Sequence, residues 1–211
     1  MLAEPRRTTL LVDGRAELEA LIAASPHRTL AQAVASLTQF SHPETVAQTA
    51  CKPVLRVVRA RDIRTERKTI VTRNGQEVGL DDNKAPTDVF LWCNGLVEKP
   101  CDVQFNHVYA DSQNPESYTC LANLCVTPSF LAKLTDTHRE TRAMLQYRVC
   151  DLYRWRPSDR PEPTEPRGYA DLQWRPCLPA VADVRATFAN IAARRSKDRT
   201  TWFRNALGAF S

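Results

Sequence analysis

Apolar residues recur at helical spacing where the chain begins. Within residues 15–24 (RAELEALIAA), Leu18, Leu21 and Ile22 fall on one helical face. Thr29 is placed to cap a second helix with Leu30, Val34 and Leu37 as its apolar stripe. Pro43 opens a short third helix that stops before Pro53. The period then changes. Residues 54–60 are β-branched and arginine-rich, and residues 69–80 (TIVTRNGQEVGL) centre on Asn74-Gly75, a strong hairpin signal. The apolar run 88–93 (DVFLWC) reads as a strand ending in a second turn at Asn94-Gly95. Alternation over residues 101–109 would put Cys101, Val103, Phe105, His107 and Tyr109 on one face of a further strand.

Helical signals return after Tyr118. Thr127-Pro128 has the form of a helix start leading into SFLAKL. Thr137 and Glu140 have the spacing of a capping box, which predicts a helix from about 138 to 155 with Leu145, Val149 and Leu152 on its buried side. Residues 157–168 (PSDRPEPTEPRG) hold four prolines and read as an extended, exposed linker or loop. Val184, Phe188 and Ile191 mark another helix within 180–195, and Trp202 to Phe210 a short amphipathic one docking on the main body. The fold class expected is therefore α+β, with N-terminal helices, a central antiparallel sheet and C-terminal helices. The expected organisation is a main domain over residues 1–156, the proline-rich segment 157–168, and a helical segment 169–211 packing on the main domain.

Composition narrows this picture. The 211 residues are 43% hydrophobic, within the globular range. No apolar run approaches the ~20 residues of a membrane span, and Glu4, Pro5, Arg6 and Arg7 stand where an export signal needs an apolar core. A cytoplasmic protein is expected on both counts. Seven cysteines, an odd number, argue for reduced thiols rather than a disulfide framework. The formal charge of +5 suits solubility as well as an acidic or phosphate-bearing partner.

Several common catalytic signatures are missing. With six glycines the chain has no Gly-rich phosphate loop, and it has no Gly-x-Ser-x-Gly elbow, His-Glu-x-x-His or Cys-x-x-Cys. One constellation survives: His107 at the end of a strand, Asn123 in the stretch Cys-Leu-Ala-Asn-Leu-Cys, and His138 at a helix start. This order resembles the HNH (ββα-metal) nuclease family over residues 107–138. The resemblance implies that His107 is a general base activating water, that Asn123 orients it, and that His138 helps to hold a divalent metal. A phosphodiester is cleaved by a positioned hydroxide while the metal neutralises developing charge, which is why the chemistry needs such a set. The chain departs from the family in two ways. Asn106 stands where an acidic ligand usually precedes the first histidine, with Asp111 or Asp136 as substitutes, and the interval from Asn123 to His138 is longer and contains Pro128.

Taken without the resemblance, His107 is a partly buried sheet residue, Asn123 a turn former and His138 an ordinary helix start. Cys93, Cys101, Cys120 and Cys125 would supply four thiolates to a zinc ion, although their spacing is not that of a zinc knuckle. Basic residues crowd the segment 52–73, and Arg56, Arg59, Arg61, Arg64, Arg67 and Lys68 are the candidate nucleic-acid contacts. The leading expectation is a non-enzymatic binding or regulatory protein, without cofactor, acting on a protein partner through the central sheet and the helices around 128–155. Plasmid and phage inhibitors, for example of conjugative transfer, are one form this would take. The alternatives are an HNH-type nuclease using a divalent metal and a basic nucleic-acid-binding regulator.

Overall fold

The computed structural model describes residues 13–73 and 75–195. Three helices come first, and each starts where its cap stands. In α1 (Gly14–Ala24) the Asp13 carboxylate accepts the Arg15 and Ala16 N–H groups. Thr29 caps α2 (Leu30–Leu37) by accepting the Gln32 N–H, and Pro43 takes the first position of α3 (Pro43–Ala47). Val34 is buried and Leu30 and Leu37 pack at the edges of core clusters, as their spacing predicts. On α1, Ile22 is buried while Leu21 points outward, 70% exposed.

The strands form two small sheets. In the first, β1 (Val57–Arg59), β2 (Ile70–Arg73) and β3 (Gln76–Asp81) lie in the order β1-β3-β2. The expected hairpin is present: β2 and β3 pair antiparallel, with Gly75 at φ 75° in the turn. Asn74 itself lies outside the described residues, as does the stretch 202–210. β1 adds to the other edge of β3 in parallel. In the second sheet, β4 (Val103–His107) pairs antiparallel with β5 (Leu124–Pro128). The α+β class, with helices, then sheet, then helices, is thus the class of the fold.

Three expectations are corrected. Residues 88–93 are not a strand but the second half of helix α4 (Lys84–Cys93), and Asn94-Gly95 ends that helix, with Gly95 at φ 72°. The reason is burial on all sides: Ala85, Val89, Phe90, Leu91, Trp92 and Cys93 are all inside. An element without a polar face shows no period to distinguish helix from strand. Secondly, Thr127 and Pro128 end β5, paired with Gln104 and Val103, and α5 (Ser129–Thr137) begins after them. Proline is tolerated at that strand end because it has no ladder N–H to lose. Thirdly, the cap of α6 (Arg139–Tyr153) is His138, not Thr137. The Thr137 hydroxyl is already used inside α5, donating to the Lys133 carbonyl at 2.8 Å. Leu145 and Val149 of α6 are buried and Leu152 is half-buried.

After α6, residues 157–168 form neither helix nor strand and are mostly exposed. The chain then runs back across the N-terminal helices. The Arg175 N–H donates to the Ala35 carbonyl at 3.0 Å and the Leu178 N–H to the Phe40 carbonyl at 2.9 Å. The Val181 N–H donates to the Thr45 hydroxyl at 3.0 Å. The path ends in α7 (Val184–Ala193), which packs on α4 through Phe188 and Trp92, ring centroids 5.4 Å apart. Among the described residues no helix is long and apolar enough to cross a membrane.

Trp92 sits at the centre of this packing, 2% exposed. Trp92→Ala is expected to cost about 3–5 kcal/mol of folding stability, against less than about 0.5 kcal/mol for Leu21→Ala, measured by denaturant unfolding.

Candidate active site

His107 is the last residue of β4, paired with Leu124. Beyond it the chain leaves the ladder, loops through residues 109–120 and returns at a short 3-10 turn (Leu121–Asn123) that feeds β5. Asn123 closes this loop. Its side chain is fully buried; Oδ1 accepts the Tyr109 N–H at 2.8 Å, and Nδ2 donates to the Tyr109 carbonyl at 3.1 Å and the Ser117 carbonyl at 3.0 Å. Its own carbonyl accepts the Val108 N–H at 2.9 Å. The amide therefore works on the backbone at both ends of the loop and not on the imidazole.

The loop in turn sets the state of His107. Nε2 lies 2.8 Å from the Tyr118 carbonyl, and the ring stacks on Tyr118 with centroids 5.1 Å apart. A carbonyl only accepts, so Nε2 carries the proton and Nδ1 is the basic nitrogen. Burial pushes the imidazole below its ordinary pKa of 6.5, against the opposing effects of the Tyr118 carbonyl and the Asp136 carboxylate. His107 is thus neutral at neutral pH. The Tyr118 hydroxyl donates to the Asp82 carbonyl at 3.0 Å, tying the stacked ring to the end of β3.

His107 lines a cleft of about 560 Å³ together with Gln104 and Asn106 of β4, Lys133 and Asp136 of α5, and Arg59 at the end of β1. Helix α5 packs across β4 and β5. Ser129, Ala132, Lys133 and Asp136 recur at helical spacing and line the cleft, while Leu131, Leu134 and Thr135 are buried. The order strand, strand, helix (β4, β5, α5) places an imidazole at a strand end on the cleft that also takes one carboxylate and one ammonium from the helix. The Asn106 amide donates to the Thr127 hydroxyl at 2.8 Å, which fixes its orientation at the cleft wall.

The structure brings His107 and Asn123 close in the chain's path but leaves His138 elsewhere. His138 caps α6, with Nδ1 3.3 Å from the Thr141 N–H and Nε2 3.0 Å from the Arg15 guanidinium, and does not line the cleft. Asp111 is occupied in a turn, accepting the Gln113 N–H at 3.1 Å. Asp136, named from the sequence as a substitute acid, is the carboxylate that does line the cleft. Lys133 was not legible as a functional residue; the stripe it shares with Ser129 and Asp136 is the signal that points to it.

Cys93, Cys120 and Cys125 are buried and Cys101 is exposed, and among the described residues no group of three or more His, Cys, Asp and Glu side chains stands together. Burial pushes the thiols of Cys120 and Cys125 up to about 12 and holds them protonated. The basic segment is not one strip. Arg56, Arg61, Arg64 and Lys68 are exposed, Arg67 pairs with Asp81 and Asp82 at 3.2 and 3.3 Å, and Arg59 alone of the six reaches the His107 cleft.

No protein-family model, curated protein or solved structure matches this chain. What the chain itself shows is a histidine lining a polar cleft, its Nε2 held by the Tyr118 carbonyl, with Arg59 and Lys133 among the other lining residues.

Two outcomes follow from this geometry. The His107 resonance is expected to titrate below pH 6.5 by NMR. Because the folded-state pKa is depressed, the stability it contributes is present above pH 6.5 and is lost as pH falls through the folded value; His107→Gln removes that part of the acid sensitivity. Asn123→Ala leaves buried backbone groups without partners and is expected to cost about 2–4 kcal/mol in chemical denaturation.

Proposed function

We propose that the chain is a phosphodiester hydrolase acting on nucleic acid, with His107 as its general base. The observation that carries this reading is the hydrogen bond from His107 Nε2 to the Tyr118 carbonyl. It leaves Nδ1 as the proton acceptor of a neutral imidazole in a polar cleft. A water proton passes to His107 Nδ1, the water oxygen bonds to phosphorus, and the opposite phosphorus–oxygen bond breaks, its oxygen taking a proton from solvent. Lys133 and Arg59 are placed to offset the charge that builds on the phosphoryl oxygens. Asn123 holds the loop whose Tyr118 carbonyl orients the base.

Beside the His107 imidazole the cleft offers oxygen donors: the Asp136 carboxylate, the side-chain carbonyls of Asn83, Gln104 and Asn106, and the Ser129 hydroxyl. That set suits Mg²⁺, which is commonly held by one or two carboxylates jointly with substrate phosphate, and not zinc. Asp136, rather than His138, is the residue that would hold it. When bound, the ion would supply charge neutralisation at the phosphate.

The test is nicking of supercoiled plasmid DNA with Mg²⁺. His107→Gln is expected to lower the rate by about 100-fold or more and Asp136→Asn to lower it comparably, while His138→Ala leaves the rate unchanged. Matched thermal melting separates loss of chemistry from loss of fold. Absence of nicking, or nicking that survives both cleft substitutions, would sink this reading and leave a protein-directed regulator as the expectation to pursue.

A further inference from the structure

A second cleft, of about 480 Å³, lies on the other part of the same loop, where Asn114, Glu116 and Ser117 meet Cys51, Lys52 and the chain leaving α6 at Trp155. None of its lining residues belongs to the His107 cleft. Its volume is in the range of small-ligand sites. Four features define what it would take. Trp155 offers an indole surface, half-buried and braced edge-on by Tyr109 at 5.9 Å. Lys52 and Arg156 are exposed cations at the rim. Glu116 and Asp159 line it as well, so it favours a ligand carrying hydroxyl or amine donors beside its anionic group. Ser117 is 2% exposed, and its hydroxyl is buried without a hydrogen-bond partner.

A buried hydroxyl that bonds to nothing is disfavoured unless something else bonds it. The backbone on one side of the cleft is also held in an uncommon conformation. Ala50 and Cys51 are consecutive non-glycine residues at φ 48° and 53°, while Arg154 at φ 53° is the left-handed cap that ends α6 just before Trp155. Such conformations persist where the surroundings enforce them, and they gather at ligand sites. The Cys120 thiol donates to the Cys51 carbonyl at 3.1 Å and helps to hold that turn.

We propose that this cleft binds a mononucleotide: a planar base against Trp155, a phosphate at Lys52 and Arg156, and sugar hydroxyls toward Glu116 and Asp159, with the Ser117 hydroxyl completing the contacts. A mononucleotide carries a ring, a charge and hydroxyls together, and the lining offers a partner for each. The site has a structural link to the first cleft. The Ser117 carbonyl accepts from Asn123 and the neighbouring Tyr118 carbonyl holds His107 Nε2, so a ligand steadying Ser117 acts on the peptide that orients the base. That link rests on the hydrolase reading; the binding site does not.

Adenosine 5′-monophosphate, adenosine and inorganic phosphate are titrated separately into the 211-residue chain by calorimetry, with a chelator present so that no metal contributes. Adenosine 5′-monophosphate is expected to bind and each half-ligand to bind more weakly. Lys52→Ala is expected to weaken the nucleotide about tenfold without changing adenosine, and Ser117→Ala to weaken it about fivefold. Ser117→Ala removes a hydroxyl that has no hydrogen-bond partner within the protein, so the fold is retained, which thermal melting checks. Lys133→Ala, in the other cleft, leaves the affinity unchanged. The proposal is overturned by absence of nucleotide binding, by affinities indifferent to Lys52 and Ser117, or by loss of binding in Lys133→Ala, which would put the nucleotide at His107. Nucleotide binding without any plasmid nicking would retire the hydrolase reading while this one stands.

Discussion

The buried amide of Asn123 has its oxygen and both of its hydrogens committed to backbone partners on the Tyr109 and Ser117 peptides. Those peptides lie at the two ends of a loop that would otherwise be free to open between β4 and β5. In a dry interior each of these groups would be costly to leave unbonded, so the amide and the loop determine one another. The loop conformation that results puts the Tyr118 carbonyl against His107 Nε2 and the Tyr118 ring against the imidazole face. The tautomer of the candidate base therefore depends on a residue that acts through the backbone of the loop.

The rest of the fold keeps that unit rigid. Phe105 of β4 packs edge-on against Phe90 of α4, ring centroids 5.5 Å apart, and α4 is covered on its other side by α7 through Trp92 and Phe188. The chain after α6 reaches α7 by hydrogen-bonding along α2 and α3. The C-terminal segment thus closes the core from outside while the strand carrying His107 is supported from inside. One face of β4 and the stripe Ser129, Lys133 and Asp136 of α5 stay open to solvent as a polar cleft.

Charge follows the same division. Arg67 is drawn out of the basic segment by two carboxylates, one of them on the fully buried Asp81, and so ties the segment to the end of β3. Arg59, at the end of the same short strand β1, is turned toward the cleft. A run of arginines that looks uniform along the chain is separated by β-pairing into structural and surface-facing members.

Local signals determined a good part of the architecture. The caps at Thr29 and Pro43, the 3.6-residue spacing of α6 and α7, and the hairpin at Gly75 depend on neighbours within a few positions, and all were legible because their physics is local. The class α+β followed from their order. The sequence also marked His107, Asn123 and Asp136. Only tertiary structure decided the remainder. The segment 88–93 is a helix because it is buried on every side, and burial on every side erases the period that would have identified it. His138 caps a helix beside Arg15 and lies outside the His107 cleft, since its place depends on how α5 and α6 are oriented, not on its distance along the chain from Asn123. The tautomer of His107 was set by a carbonyl eleven residues away, at Tyr118, a contact that exists only once Asn123 has closed the loop.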